Sequence, residues 1–321
     1  MKTAVRKEFC DAAVVKERRL VLGEVPMPVA GKGEVLIKVA AIGVNRVEID
    51  QKKGDYKAPL GASPVLGLEV AGTVVGTGER VMALLTGGGY AAYAAAPLET
   101  VLPIPERLSF EQAAAVPEAY FTIWSNLFMD RPLAAGQVLL VHGGASGVGS
   151  AMIQLAKAFG ATVIATAGTL ERALFCKDLG ADLAIDYSKQ DFEAEIRKFI
   201  GERGVDVIFD WVGARYLNKH LALLARHGRL VLIDSRTKDG PALDLGPVMR
   251  KNLVITGALL RPRPLSEKKL IAGGVRRDFL PLLVSGKLTP IVSHRFPLAE
   301  AEKAHAVVEE SLHHGKVVLI P

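Results

Sequence analysis

Glycine recurs at 144, 147 and 149 in the run Val141-His142-Gly143-Gly144-Ala145-Ser146-Gly147-Val148-Gly149, directly after the apolar stretch 138–141. Residues without a Cβ let backbone N–H groups come close to a ligand, and a helix opening there adds the positive end of its dipole. Together these suit a phosphate or pyrophosphate. The pattern supplies such a helix. Val148, Met152, Leu155 and Phe159 fall on one apolar face, and Gly160 stands where a helix would end. Strand, glycine turn and helix in this order read as a dinucleotide cradle, with Ser146, Gly147, Val148 and Gly149 as its contacts. The spacing is GxxGxG, not the commoner GxGxxG.

The end of the next apolar strand, 162–166, bears on which dinucleotide is expected. Readers of an unphosphorylated ribose place an acid there to hold its 2′-hydroxyl. This chain continues Ala167-Gly168-Thr169-Leu170-Glu171-Arg172. Gly168 leaves room, and the Thr169 hydroxyl and Arg172 guanidinium can receive a 2′-phosphate. The expectation is therefore NADPH, with Glu171 as the competing acid. Tyr187, after the strand 183–186, is placed either against the adenine and its ribose phosphate or simply packed at a strand end.

These turns need a sheet to carry them. Apolar strands at 137–142, 162–166, 183–186, 205–209, 229–233 and 253–255 alternate with amphipathic helices, one marked by Phe192, Ile196, Phe199 and Ile200. The alternation predicts a parallel, doubly wound α/β sheet. A helix lined by Leu217, Leu221 and Leu224 is expected to close at Gly228. Before residue 115 the texture differs: short β-like runs broken by Gly and Pro predict an irregular barrel or sandwich. Ser109 and Gln112 have the spacing of a capping box, which opens the helical region. After residue 258 a helix at 266–285, a β-like stretch at 290–296, a helix at 299–310 and a strand at 317–320 are expected. One economical division makes 118–256 a nucleotide domain inserted into a first domain formed by 1–117 and completed by 257–321.

Composition narrows the class. The chain has 321 residues, 50% hydrophobic and 23% charged, which suits a folded globular core. No apolar run approaches the roughly 18 residues of a membrane span, and residues 1–6 do not lead into a secretory segment, so a cytoplasmic protein without a membrane partner is expected. Two cysteines, Cys10 and Cys176, are too few for a disulfide scaffold or a four-cysteine zinc lobe. The net charge is +6, and between Arg250 and Asp278 eight basic residues face two acidic ones. That stretch lacks interleaved aromatics for base stacking, so it reads as a solvated face and nucleic acid is not the expected partner.

In order along the chain, residues 41–46, 61–72, 82–85, 113–122, 142–157 and 179–187 resemble the medium-chain dehydrogenase/reductase superfamily. Within it the chain is similar to the zinc-free quinone oxidoreductase branch, which includes zeta-crystallin. The resemblance spans essentially the whole chain. It implies a GroES-like β-barrel catalytic domain plus a doubly wound Rossmann domain, assembly as a homodimer or homotetramer, and NADPH-dependent reduction of a small-molecule quinone or conjugated carbonyl substrate. Zinc relatives carry cysteine where this chain has Asn45, and histidine in Gly-His-Glu where it has Gly67-Leu68-Glu69. Neither asparagine nor leucine replaces those ligands, so no metal is expected. Without a metal, quinones and enones suit the site better than simple ketones, because the incoming charge delocalises into the product.

The resemblance further implies Asn45 as a hydrogen-bond donor near nicotinamide or substrate, although Asn45 also stands where it would cap the following helix. Tyr56 matches a position lining the active-site cleft. Thr122 matches a contact on the nicotinamide ribose side, and Leu260 and Arg261 match a loop that reaches the cofactor; Arg263 or Lys316 are alternative phosphate contacts. A 2-alkenal or enone double-bond reductase is the nearest competing function. An RNA-binding role and a crystallin-like role without turnover are the non-enzymatic ones.

Overall fold

The computed structural model describes residues 8–234, 239–257 and 259–321, so the start of the chain at 1–6 lies outside it. The chain divides into two units, Met1–Phe121 with Arg261–Pro321, and Thr122–Leu260.

In the second unit the strands Leu183–Asp186, Thr162–Ala167, Val138–Val141, Val205–Asp210, Leu224–Leu232 and Val254–Gly257 form one sheet in that order. Every pairing is parallel. The order reverses direction from the strand Val138–Val141, the topological switch at which α/β sheets bind ligands. Val138, Leu140, Ile164, Ile208 and Leu230 are buried, as strands covered on both faces require. The expected helix through Leu224 ends earlier, at Leu223. Leu224 instead opens the next strand by pairing with Val205, and the register then shifts so that Arg229 pairs with Val207. Strand pairing outcompetes one more helical turn here, and Gly228 lies inside the strand Leu224–Leu232.

In the first unit the strands Val292–Pro297, Lys316–Ile320, Glu34–Gly43, Glu69–Val74, Arg80–Leu84 and Val101–Pro103 run in that order, with Tyr93–Pro97 also on Glu34–Gly43. Its core holds Ile37, Ile42, Ile49, Leu66, Val70 and Leu319. Phe9–Lys16 and Arg19–Pro26 form a separate hairpin. Its turn residues Glu17 and Arg18 have φ of 49° and 62°, the left-handed pair that matches strand twist. Ser109 caps the helix Phe110–Ala114 through the expected box with Gln112. The helix expected over 266–285 is two, Leu265–Asp278 and Leu280–Ser285. Pro281 has no N–H to continue the first ladder and suits the first turn of a new helix.

The carboxy-terminal strand returns to the strand Glu34–Gly43 with Val318 opposite Gly43 and Leu319 opposite Ile42. The Val44 N–H extends the pairing to the carbonyl of Val317 at 3.0 Å. One further step of this antiparallel register brings Lys316 beside Asn45.

Candidate functional site

The strand Val138–Val141 delivers the chain to Gly143, whose φ is 56°. The helix Gly147–Ala158 follows, with Ser146 at its N-cap. The turn is packed so closely that only glycine fits. A Cβ on Gly149 would stand 2.5 Å from the Gly143 carbonyl oxygen, and one on Gly144 2.8 Å from Cys176 Sγ. The Ser146 hydroxyl accepts the Gly149 N–H at 3.1 Å. The helix start leaves other first-turn N–H groups without intrahelical partners, beside half-buried Gly147 and Val148. This arrangement fits an anionic pyrophosphate.

The neighbouring strand Thr162–Ala167 ends at Gly168, and Thr169 caps the helix Leu170–Asp178 by accepting the Arg172 N–H at 3.3 Å. A hydroxyl that accepts can still donate, so Thr169 keeps a donor. The Tyr187 hydroxyl lies 2.9 Å from where a Cβ of Gly168 would be, so a larger residue at 168 would displace the Tyr187 ring tip. Thr169 and Tyr187 are exposed and Arg172 is half-buried. The structure thus brings Ser146, Gly147, Val148, Gly149, Gly168, Thr169, Arg172 and Tyr187 to the carboxyl ends of three adjacent parallel strands. Thr122 and Leu260, 8% and 7% exposed, are the first and last residues of the same unit.

In the first unit Asn45 stands at the N-cap of the helix Arg46–Lys53, and Glu48 accepts its backbone N–H. The amide group has two charged partners. Lys316 Nζ donates to Oδ1 at 2.6 Å, and Nδ2 donates to Glu69 Oε1 at 3.0 Å. Lys316 and Glu69 are also ion-paired, with side chains 5% and 0% exposed. Glu69 Oε2 accepts the Glu118 N–H at 2.9 Å. Glu48 completes the group, taking the Leu68 N–H at 2.9 Å and the Tyr90 hydroxyl at 3.0 Å. Burial pushes Glu48 up to about 7, and burial with the Glu69 carboxylate pushes Glu118 up to about 8.

Lys316 is therefore a buried structural cation and is not placed to hold a phosphate. Arg263 pairs with Glu267 at 2.9 Å. Arg261 donates to the Thr86 carbonyl at 2.9 Å and to Gln51 Oε1 at 2.7 Å, and its guanidinium lies 5.4 Å from the Tyr56 ring centre. Its Nη2 is buried with no hydrogen-bond partner, a spare donor. Burial raises the Tyr56 hydroxyl pKa while the Arg261 charge lowers it.

These residues do not fit a zinc ion. Leu68 is buried and offers no ligand atom, and Asn45 and Glu69 already face a fixed ammonium, which would repel a second cation. Among the described residues one other cluster, His142, Asp210 and His220, brings donor atoms within 4.8 Å of one another. There the two imidazoles hydrogen-bond each other at 2.8 Å, and His142 Nδ1 meets Thr166 Oγ1 at 2.9 Å. Burial lowers His142 to about 3 and His220 to about 2, so both are neutral. Burial pushes the Cys176 thiol up to about 12, which leaves it inert.

Glu48, Glu69, Glu118 and the anchoring role of Lys316 were not legible as a set in the sequence. The one available signal was Glu69, retained in Gly67-Leu68-Glu69 where the metal-binding residue is replaced.

A glycine cradle at the switch point of a parallel sheet, with Thr169 capping the helix that follows the next strand, defines a dinucleotide-binding protein of the dehydrogenase type. The zinc-binding dehydrogenase model matches residues 147–272, and the alcohol dehydrogenase GroES-like domain model matches 31–106. The quinone oxidoreductase of Homo sapiens is 32% identical over 328 residues, covering 98% of this chain and 95% of that protein. The solved quinone oxidoreductase of Thermus thermophilus, which has also been determined as its complex with NADPH, is 32% identical with a TM-score of 0.84, covering 98% of this chain and 100% of that one. A solved NAD-dependent alcohol dehydrogenase is 29% identical with a TM-score of 0.84, covering 97% and 99%. The chain belongs to the quinone oxidoreductase branch of the medium-chain dehydrogenase/reductase superfamily.

Proposed function

We propose that this chain is an NADPH-dependent, zinc-independent reductase of quinones. The observation that carries the proposal is Asn45, held between Lys316 and Glu69 at the position where zinc relatives place a cysteine. With an amide there, the site offers a hydrogen-bond donor in place of a Lewis acid. That suffices for acceptors whose product spreads its own charge.

The bound nicotinamide supplies the hydride. The chain's own residues hold and orient. First-turn N–H groups and the dipole of the helix Gly147–Ala158 take the pyrophosphate. The Thr169 hydroxyl and the Arg172 guanidinium take the ribose 2′-phosphate, a pairing that favours NADPH over NADH. Tyr187 lies against the adenine side. Arg261 Nη2, unpartnered and buried, is a donor for cofactor or substrate. Thr122 and Leu260 line the nicotinamide side. Asn45 Nδ2 donates to the nicotinamide or the substrate oxygen, and Tyr56 orients substrate or passes it a proton. The substrate is a small molecule. The edge strand Val254–Gly257, with Ile255 38% exposed, is where we place pairing between copies.

The test is NADPH oxidation with 1,4-benzoquinone, 9,10-phenanthrenequinone and a 2-alkenal, each repeated with NADH and with chelator. Turnover of the quinones with NADPH, unchanged by chelator, is expected. Turnover of the alkenal alone would make the chain an enone reductase. Loss of activity with chelator would overturn metal independence.

A further inference from the structure

We propose that Lys316 and Glu69 are positioning residues for Asn45: they lock its amide so that a single Nδ2–H is left to donate to a ligand. This rests on the reading above that Asn45 touches cofactor or substrate.

The oxygen and nitrogen ends of an asparagine amide are nearly equal in shape, so only its partners decide which way it faces. Here the partners are charged and of opposite sign. Lys316 Nζ can only donate, and it addresses Oδ1 at 2.6 Å. Glu69 Oε1 accepts from Nδ2 at 3.0 Å. A flipped amide would set two donors against each other and a carbonyl oxygen against a carboxylate. One orientation therefore holds. An amide nitrogen carries two protons, and the second is the free donor.

The clamp is itself anchored. Lys316 is placed by the register of the strand Lys316–Ile320 on the strand Glu34–Gly43. Glu69 is pinned through Oε2 by the Glu118 N–H at 2.9 Å. Asn45 is held from behind by Glu48. Both clamp side chains are buried, where hydrogen bonds polarise one another more strongly than in water. An ammonium on Oδ1 withdraws electron density from the amide and makes the remaining N–H a better donor. The positive charge thus acts on the ligand through Asn45, not by direct contact.

The experiment compares Asn45→Ala, Lys316→Met, Lys316→Arg, Glu69→Gln/Lys316→Gln and Asn45→Ala/Lys316→Met. It reads kcat, KM, NADPH dissociation constant by fluorescence, and folding by circular dichroism. Lys316→Met should lower kcat by roughly tenfold, the scale of coupling within one hydrogen-bond network. NADPH affinity should change far less, and Lys316→Arg should recover part of the loss. The double variant with Asn45→Ala should be no worse than Asn45→Ala alone. If Lys316→Met does not fold, Glu69→Gln/Lys316→Gln, which removes both charges, should show the same fall in kcat. A folded Lys316→Met or double-glutamine variant with wild-type kcat overturns the proposal. So do losses that multiply in the Asn45→Ala/Lys316→Met variant. Should Asn45→Ala by itself keep wild-type kcat and NADPH affinity, the underlying reading of Asn45 fails, and that single variant shows it.

Discussion

The Glu69 carboxylate fills the space that a side chain on Gly43 would need: a Cβ on residue 43 would overlap Oε1 and stand 2.5 Å from the Ala114 carbonyl oxygen. Glycine is thus required in the strand by a side chain from its neighbour. Gly43→Ala should cost about 1–3 kcal/mol, the usual scale of overpacking in a filled core. It should also lower kcat, because Glu69 moves and with it the Asn45 amide. Urea unfolding measures the first effect and steady-state kinetics the second. A variant with the wild-type midpoint and rate would show that Glu69 does not lie over Gly43.

Arg172 and Thr169 form the cation–hydroxyl pair proposed for the 2′-phosphate. Replacing Arg172 with alanine removes a charge-assisted contact of about 1.5–3 kcal/mol, so kcat/KM for NADPH should fall by roughly tenfold to a hundredfold. Kinetics with NADH should hardly change, since that cofactor has no 2′-phosphate. Equal losses with both cofactors would place the phosphate site elsewhere.

Glu118 titrates near 8 in the fold, against an ordinary value of 4.5, because it is buried beside Glu69. A carboxyl raised by folding prefers to be protonated, so its contribution to stability is present below about 4.5 and is lost as pH rises toward 8. Glu48, raised to about 7, acts in the same sense. Glu118→Gln keeps a neutral group of similar shape. It should match wild-type stability near pH 4 and exceed it at pH 9, as read by urea unfolding at both. A constant difference across that range would mean that Glu118 is ionised in the fold throughout.

The histidines work in the opposite direction. His142, His220 and His305 are depressed to about 3, 2 and 3 by burial, so their contribution is present above about 6.5 and is lost as pH falls toward 3. His220→Phe leaves His142 Nε2 without its partner, at a cost of about 1–3 kcal/mol at pH 8. The deficit should shrink by pH 5, where the phenylalanine no longer has a proton to exclude. A deficit that grows on acidification would indicate that His220 is charged in the native state.

Local signals reached far along this chain. The GxxGxG run, its flanking strand and helix, and the Ser109–Gln112 box were readable because capping, close backbone approach and apolar periodicity act over a few residues. So was the replacement of metal ligands at Asn45 and Leu68, since ligand chemistry belongs to residue type. The helix expected through Leu224 and the single helix over 266–285 failed where sheet pairing and Pro281 overrode periodicity.

By itself the sequence determined an α/β nucleotide unit, a β-rich partner unit and a cofactor cradle whose second strand runs on into Ala167-Gly168-Thr169, not into an acid. Tertiary structure alone decided that Lys316 meets Asn45, 271 residues away, and that three glutamates gather around one ammonium. The physical reason is register. No periodicity records which residue of a returning strand stands opposite Gly43, and a slip of one residue would turn Lys316 to the other face of the sheet.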